Sequence, residues 1–195
     1  TVTSLIFTAM FAYGLSKKIA FRKTYSTMGL ITMYFSGGLI PYYFLIKDLG
    51  MIDTFAVYII PSLLSYYNAL LLMANFRSIP GALEEAALID GASPFRIFIQ
   101  IILPLSMPIL ATIALFNGVG HWNDWYTTAI YTRSQHLNTL PVLLRDIMNQ
   151  ASNQKEMEAK LMLERATVTV EATRYATMMI AVVPITVLYP FLQRY

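Results

Sequence analysis

The chain has no cysteine, which excludes disulfides, thiol redox chemistry and thiolate metal sites. It is poor in charge as well: Asp, Glu, Lys and Arg make up 13% of 195 residues, about half the share of an ordinary soluble domain. A net charge of +3, with no basic stripe interleaved with aromatics, argues against a nucleic-acid partner. There is no Gly-x-x-x-x-Gly-Lys-[Ser/Thr] loop to cradle a nucleotide. Neither a Gly-x-Ser-x-Gly elbow nor a His-Glu-x-x-His helix is present, so the common hydrolase signatures are missing too. His121 and His136 stand too far apart, without suitable carboxylate neighbours, to read as a metal site.

What is abundant is apolar: 56% of the residues are hydrophobic, and they come in long uncharged runs. That pattern predicts an all-α, polytopic membrane protein. Thr1 to Ser16 is apolar but short of the roughly twenty residues of a full span, so the chain is expected to begin partway through a transmembrane helix. Lys17, Lys18, Arg22 and Lys23 then cluster, which places that loop in the cytoplasm by the positive-inside rule. Met28–Ile46 is the first complete span, interrupted by Gly37-Gly38 and Pro41. Lys47–Asp53 is a short external turn, and Thr54–Phe76 a second span containing Pro61 and the polar group Ser65, Tyr66, Tyr67 and Asn68. Ile97 to about Trp122 is the third, with Pro104 and Pro108 expected to bend it. Residues 123–174 form a long external segment, in which Leu137–Ala151 and Lys155–Arg165 are separate helical candidates. Tyr175–Gln193 is the last span.

The densest punctuation lies between the second and third complete spans, from Ser78 to Pro104. Ser78 is expected as an N-cap with Pro80 in the first helical turn. Glu84 and Glu85 suit the positive end of the helix dipole. Asp90-Gly91 stops the helix, and Ser93-Pro94 starts another. Leu83 and Ile89 offer apolar knobs, Ala86 and Ala87 allow close backbone approach, and Glu84 or Glu85 suits pairing with a basic group across an interface.

The spacing Glu85-Ala86-Ala87, three residues, Gly91, nine residues, Ile101, one residue, Leu103-Pro104 resembles the EAA loop of ABC-importer permeases. Asn75-Phe76-Arg77-Ser78-Ile79-Pro80 and Ile-Leu-Pro-Leu-Ser-Met-Pro-Ile-Leu around it look like the carbohydrate-uptake permeases of the maltose-importer type. The ending Thr-Val-Leu-Tyr-Pro-Phe-Leu-Gln-Arg-Tyr is more similar to the polysaccharide or oligosaccharide branch, which includes alginate importers. The resemblance implies a type I ABC importer transmembrane domain over residues 1–195, with a truncated first helix, four further spans and a cytoplasmic coupling loop at 78–94. It implies an inner-membrane location and coupling through Leu83, Glu84, Glu85, Ala86, Ala87, Ile89, Asp90 and Gly91. The implied partners are a second permease subunit, two ATP-binding subunits that hold ATP and Mg, and an external solute-binding protein docking on the 123–174 side. No cofactor is expected on this chain, and no enzymatic activity of its own.

For the sugar path the candidates are Tyr67, Asn68, Asn117, Trp122 and Asn123, because aromatic faces stack on sugar rings and amides hydrogen-bond to hydroxyls. A plain aromatic belt at the membrane interface is the more economical account of Trp122, Trp125 and Tyr126. The competing functional class is a secondary transporter driven by an ion gradient. That class calls for ionisable residues within the spans, and the complete spans contain no Asp, Glu, Lys or Arg.

Overall fold

A computed structural model describes residues 1–17, 19–160 and 170–192, and every regular element among them is helical. They fall into two compact units: Thr1–Gly50 with Tyr58–Gly118, and Met51–Val57 with the residues from Val119 on.

In the first unit, α1 (Val2–Ser16) packs along α5 (Tyr66–Ser78). Its buried residues are Ser4, Thr8, Ala9, Ala12 and Leu15. Ser4, Thr8 and Ala12 recur every fourth position, a small-residue stripe that lets two helix backbones approach closely where lipid supplies no hydrophobic drive. Ala69, Leu72, Met73 and Phe76 of α5 complete the contact, and Ile97, Phe98, Ile102, Leu110 and Ile113 close the core. The helix α2 (Arg22–Tyr34) meets α5 where Gly29 faces the Tyr66 ring; any side chain at 29 would collide with that ring. The Tyr66 hydroxyl donates to the Ser26 carbonyl at 2.8 Å.

The interruption expected at Gly37-Gly38 and Pro41 and the bend expected at Pro104 and Pro108 are present, and both are sharper than a kink. Met28–Ile46 is α2 followed by α3 (Leu39–Asp48), bent by 114° across Phe35–Gly38. Gly38 has φ +84, a conformation open to glycine alone at little cost. Pro41 lies in the first turn of α3, where its missing N–H is harmless. Thr54–Phe76 is a short turn, α4 (Ala56–Ile59), then non-helical chain to Ser65, then α5. Pro61 lies in the break, and the Ser65 hydroxyl caps α5 by accepting from the Asn68 N–H at 3.4 Å. The helix expected to restart at Ser93-Pro94 leads into the third span as α7 (Pro94–Ile97), a π-helical turn at Phe98–Ile102 and α8 (Leu103–Leu105). It breaks at Ser106 and resumes as α9 (Met107–Trp122), the two arms bent by 81°. Pro104 and Pro108 each lack the donor a regular helix requires, and the wide turn and the break absorb both. Among the described residues no single helix is long and apolar enough to cross a membrane, whereas these two bent pairs are.

The second unit holds α10 (Tyr126–Tyr131), α11 (Leu140–Lys160) and α12 (Val170–Leu192), with α11 and α12 in contact. The two helical candidates expected at 137–151 and 155–165 are one helix as far as Lys160; residues 161–165 lie outside the described residues. Nothing in the intervening sequence breaks it, since neither glycine nor proline occurs between Val142 and Lys160. Trp122 Nε1 donates to the Ala181 carbonyl at 3.1 Å, anchoring α12. Asp53, itself at φ 58, accepts from the N–H groups of Arg133 and Ser134 at 2.9 and 2.8 Å and from the Ser134 hydroxyl at 2.6 Å.

Those three donors hold the Asp53 carboxyl down at about 2, the Ser134 hydroxyl contributing most. Because the folded value lies below the ordinary 3.8, the clamp's stabilisation is complete above that pH and is lost as pH falls through about 2. Asp53→Ala is expected to speed amide exchange at Arg133 and Ser134 at neutral pH. Hydrogen-exchange mass spectrometry checks this, and unchanged protection there counts against the clamp.

Candidate functional site

The acidic hairpin is built by local signals. Ile79 is extended at φ −70, ψ 130, as the residue before a proline prefers. The helix α6 therefore starts at Gly81 and runs to Ile89, with Pro80 in the N-cap position. Ser78, expected as the N-cap, is instead the last residue of α5, its hydroxyl donating to the Asn75 carbonyl at 2.7 Å. Pro80 accordingly precedes the first turn.

The exit from α6 follows expectation. Gly91 has φ +80, and the Ala92 N–H reaches back to the Ala87 carbonyl at 2.9 Å while the Gly91 N–H reaches Leu88 at 3.0 Å. This paired closure is a Schellman motif, which satisfies carbonyls that a helix end leaves open. Ser93 caps α7 by accepting from the Arg96 N–H at 3.4 Å, with Pro94 in the first turn. The result is a helical hairpin whose turn is closed on both sides by capping hydrogen bonds.

The hairpin sorts its residues between two faces. Glu84 and Ala87 are half-buried, with Ala87 against the core. Glu84 pairs with Lys17, and the Lys17 ammonium also lies 4.5 Å from the centre of the Tyr13 ring. Tyr13 in turn stacks with Phe98 at 4.9 Å and meets Phe76 edge-on at 6.2 Å. Thus Glu84 is engaged within the chain. Leu83, Glu85, Ala86, Ile89 and Asp90 are all exposed, Ile89 at 87%. Leu88, which the sequence reading passed over, is exposed beside them at 54%. A notch of about 240 Å³, lined by Ala87, Asp90, Arg96 and Gln100 among others, opens at the hairpin's base. Arg96 Nε donates to Gln100 Oε1 there at 2.9 Å. An exposed apolar ridge beside a free carboxylate and a small notch is a surface fit for another protein.

The polar residues of the spans divide differently. Asn68 is buried and its amide donates to Asn117 Oδ1 at 2.9 Å. The Asn117 amide nitrogen, the Ser106 hydroxyl and the Asn75 side-chain oxygen are buried without a partner. Tyr67 is exposed. Trp122 and Asn123 belong to the second unit, where the Trp122 N–H is already committed to Ala181. Close by, Arg145 lies 4.5 Å over the Trp125 ring, and Asp124 accepts from the Thr127 N–H at 3.0 Å. Lys17 and Tyr13 are the partners that sequence reasoning missed. The Lys17–Glu84 pair spans 67 positions, a separation that leaves no local signal.

The first unit thus combines broken apolar helices with a helical hairpin whose exposed side chains are acidic and apolar. The chain matches the binding-protein-dependent transport system inner membrane component family over residues 2–195, and it belongs to that family. It is therefore a multi-pass membrane component that works with other transporter components and a binding protein. It is 34% identical over its whole length to the polygalacturonan/rhamnogalacturonan transport system permease protein YtcP of Bacillus subtilis (strain 168), covering 68% of that protein. It is 35% identical to Protein LplC of the same organism, covering 66%. A crystal structure of a bacterial ABC transporter involved in the import of the acidic polysaccharide alginate superposes with TM-score 0.86 at 30% identity, over all of this chain and 69% of that one. The chain thus spans about two thirds of the length of these relatives.

Gly91→Val forces a β-branched residue into the left-handed region, at a cost of about 1–2 kcal/mol. Amide exchange at Asp90 and Ala92 is expected to rise roughly tenfold, while Gly91→Asn, which tolerates this conformation, changes it little. Equal protection in both variants refutes the motif's role.

Proposed function

We propose that this chain is a permease subunit of an ATP-driven importer of oligosaccharides, with acidic, uronate-rich oligosaccharides the favoured class. Two of the relatives named above concern acidic polysaccharides, polygalacturonan and alginate, which supports that choice. Two ATP-binding subunits hold ATP and Mg, a second permease completes the membrane pathway, and an external solute-binding protein delivers the sugar. The observation that carries this reading is the split of the two adjacent acids: Glu84 is tied inward to Lys17, while Glu85 stands free beside Leu83, Ala86 and Ile89.

In this mechanism the motor subunit grips the outward face of α6, with Asp90 and Gly91 ending the gripped helix. Closure of the motor on ATP moves α6 as one body. Lys17 passes that displacement to α1 through its ion pair with Glu84, and the core contact of Ala87 passes it to the arm beginning at α7. The broken spans then rearrange between inward-open and outward-open forms. ATP drives the change only insofar as it stabilises one arrangement over the other. Along the pathway, Asn68 and Asn117 offer amides to sugar hydroxyls, and Tyr67, Trp122 and Asn123 add stacking and hydrogen-bonding surface.

Glu85→Lys reverses the charge offered to a basic group across the proposed interface, and the ATP-binding subunits are expected to be lost on co-purification. Undiminished assembly with intact uptake refutes the docking role. Lys17→Glu is expected to leave assembly intact but lower substrate-stimulated ATP hydrolysis, and the double exchange Lys17→Glu with Glu84→Lys to restore it. The direct stabilisation at stake is small, about 0.2–1 kcal/mol for a partly exposed pair, so the readout is coupling and not unfolding. No rescue by the double exchange removes Lys17 from the path.

A further inference from the structure

A second site lies on the same end of the first unit, outside the hairpin. A cavity of about 830 Å³ is lined by Arg22, Lys23, Arg77, Ser26, Thr27 and Phe21, with Ile19 at its margin. The arrangement runs against the chain's own electrostatics. Anions are favoured at helix N-termini, where the dipole is positive and N–H groups are unpaired. Yet α2 opens with Arg22 and Lys23, has no acidic residue in its first turn and no side-chain cap. Arg77 adds a third cation from the last turn of α5. Among the described residues the ion pair formed is Lys17 with Glu84, so no carboxylate among them answers these three. Like charges gathered at a positive helix end, in a cavity with two hydroxyls, form an anion site whose anion comes from outside the chain.

The surroundings choose the anion. Phe21, Tyr25 and Met28 are exposed at 77%, 51% and 59%, and they lead from the N-cap up α2, one arm of a bent pair long and apolar enough in composition for a span. Hydroxyls and cations at the mouth with an apolar track leading away match a phospholipid, phosphate at the cations and acyl chains along the track. We propose that this cavity binds the headgroup of an anionic phospholipid, with Arg22, Lys23 and Arg77 contacting the phosphate. It follows that lipid holds α2 to α5 beside the hairpin. The proposal needs the chain to lie in a membrane, which family membership provides, and is independent of the transported sugar.

The test uses the assembled importer in zwitterionic nanodiscs carrying a small fraction of phosphatidylglycerol, with bound lipid counted by native mass spectrometry after release. Each cation near a membrane surface adds about fivefold to the preference for anionic lipid. Arg77→Gln is therefore expected to reduce retained phosphatidylglycerol about fivefold, and Arg22→Gln with Lys23→Gln about 25-fold, while Arg77→Lys changes it little. Should the double variant not assemble, Arg77→Gln alone decides, because its side chain is exposed at a helix end. Retention equal to that of the unaltered complex overturns the proposal. So does complete displacement of the lipid by millimolar inorganic phosphate, which marks a site for a free anion. Loss of the ATP-binding subunits with lipid retention unchanged also overturns it, since the cations then dock protein.

Discussion

The close approach of α1 to α5 is the contact on which the rest of the first unit depends. Both helices are apolar on most sides, so hydrophobicity alone does not tell α1 which face to bury in lipid. Small residues at positions 4, 8 and 12 decide it, because only that face allows the backbones near enough for extensive van der Waals contact. Once the seam forms, Tyr13 follows the buried Ala9 by one turn, and Lys17 comes four residues later, just past the end of α1. Tyr13 then meets Phe76 and Phe98, and Lys17 meets Glu84. The hairpin is therefore indexed to a helix far from it in sequence.

A second constraint follows from the membrane. Backbone groups that leave a helix there must find partners within the protein. The breaks at Phe35–Gly38, Ile60–Ser65 and Ser106 meet that demand locally. Phe35 N–H returns to Ile31, Ser65 caps α5, and Ser106 N–H reaches both Ile102 and Leu103. Partly satisfied polar side chains cluster near the same breaks. Asn68 bonds to Asn117, while the Asn117 amide and the Ser106 hydroxyl stay unpaired. An interhelical amide bond of this kind contributes only about 0.6 kcal/mol on average. Such a contact is weak enough to be exchanged for another polar partner.

Charge is scarce in this protein and its placement is correspondingly informative. Lys17 and Glu84 neutralise one another where α1 meets the hairpin. Glu85 is left on the outward face, and Arg22, Lys23 and Arg77 are left around a cavity. On the opposite chemistry, Asp53 gathers three donors and fastens the loop before α4 to the turn after α10. Each arrangement joins segments that the sequence keeps far apart.

Class, helical content and the turn that closes the hairpin were legible from the amino-acid order, whereas its start was not, since Ser78 ends α5 instead of capping α6. Uncharged apolar runs demand a membrane, and Asp90-Gly91 and Ser93-Pro94 act on backbone torsions within a few residues, so no distant contact is needed to read them. The breaks within the spans were half legible: Gly37-Gly38, Pro61 and Pro104 announced irregularity, but not whether it would be a kink, a π-turn or a full break. Only tertiary structure decided that, along with which acid turns inward, which amides pair and where unpaired cations collect. Those outcomes depend on residues dozens of positions apart arriving at the same place, and the packing of α1 on α5 sets where they arrive.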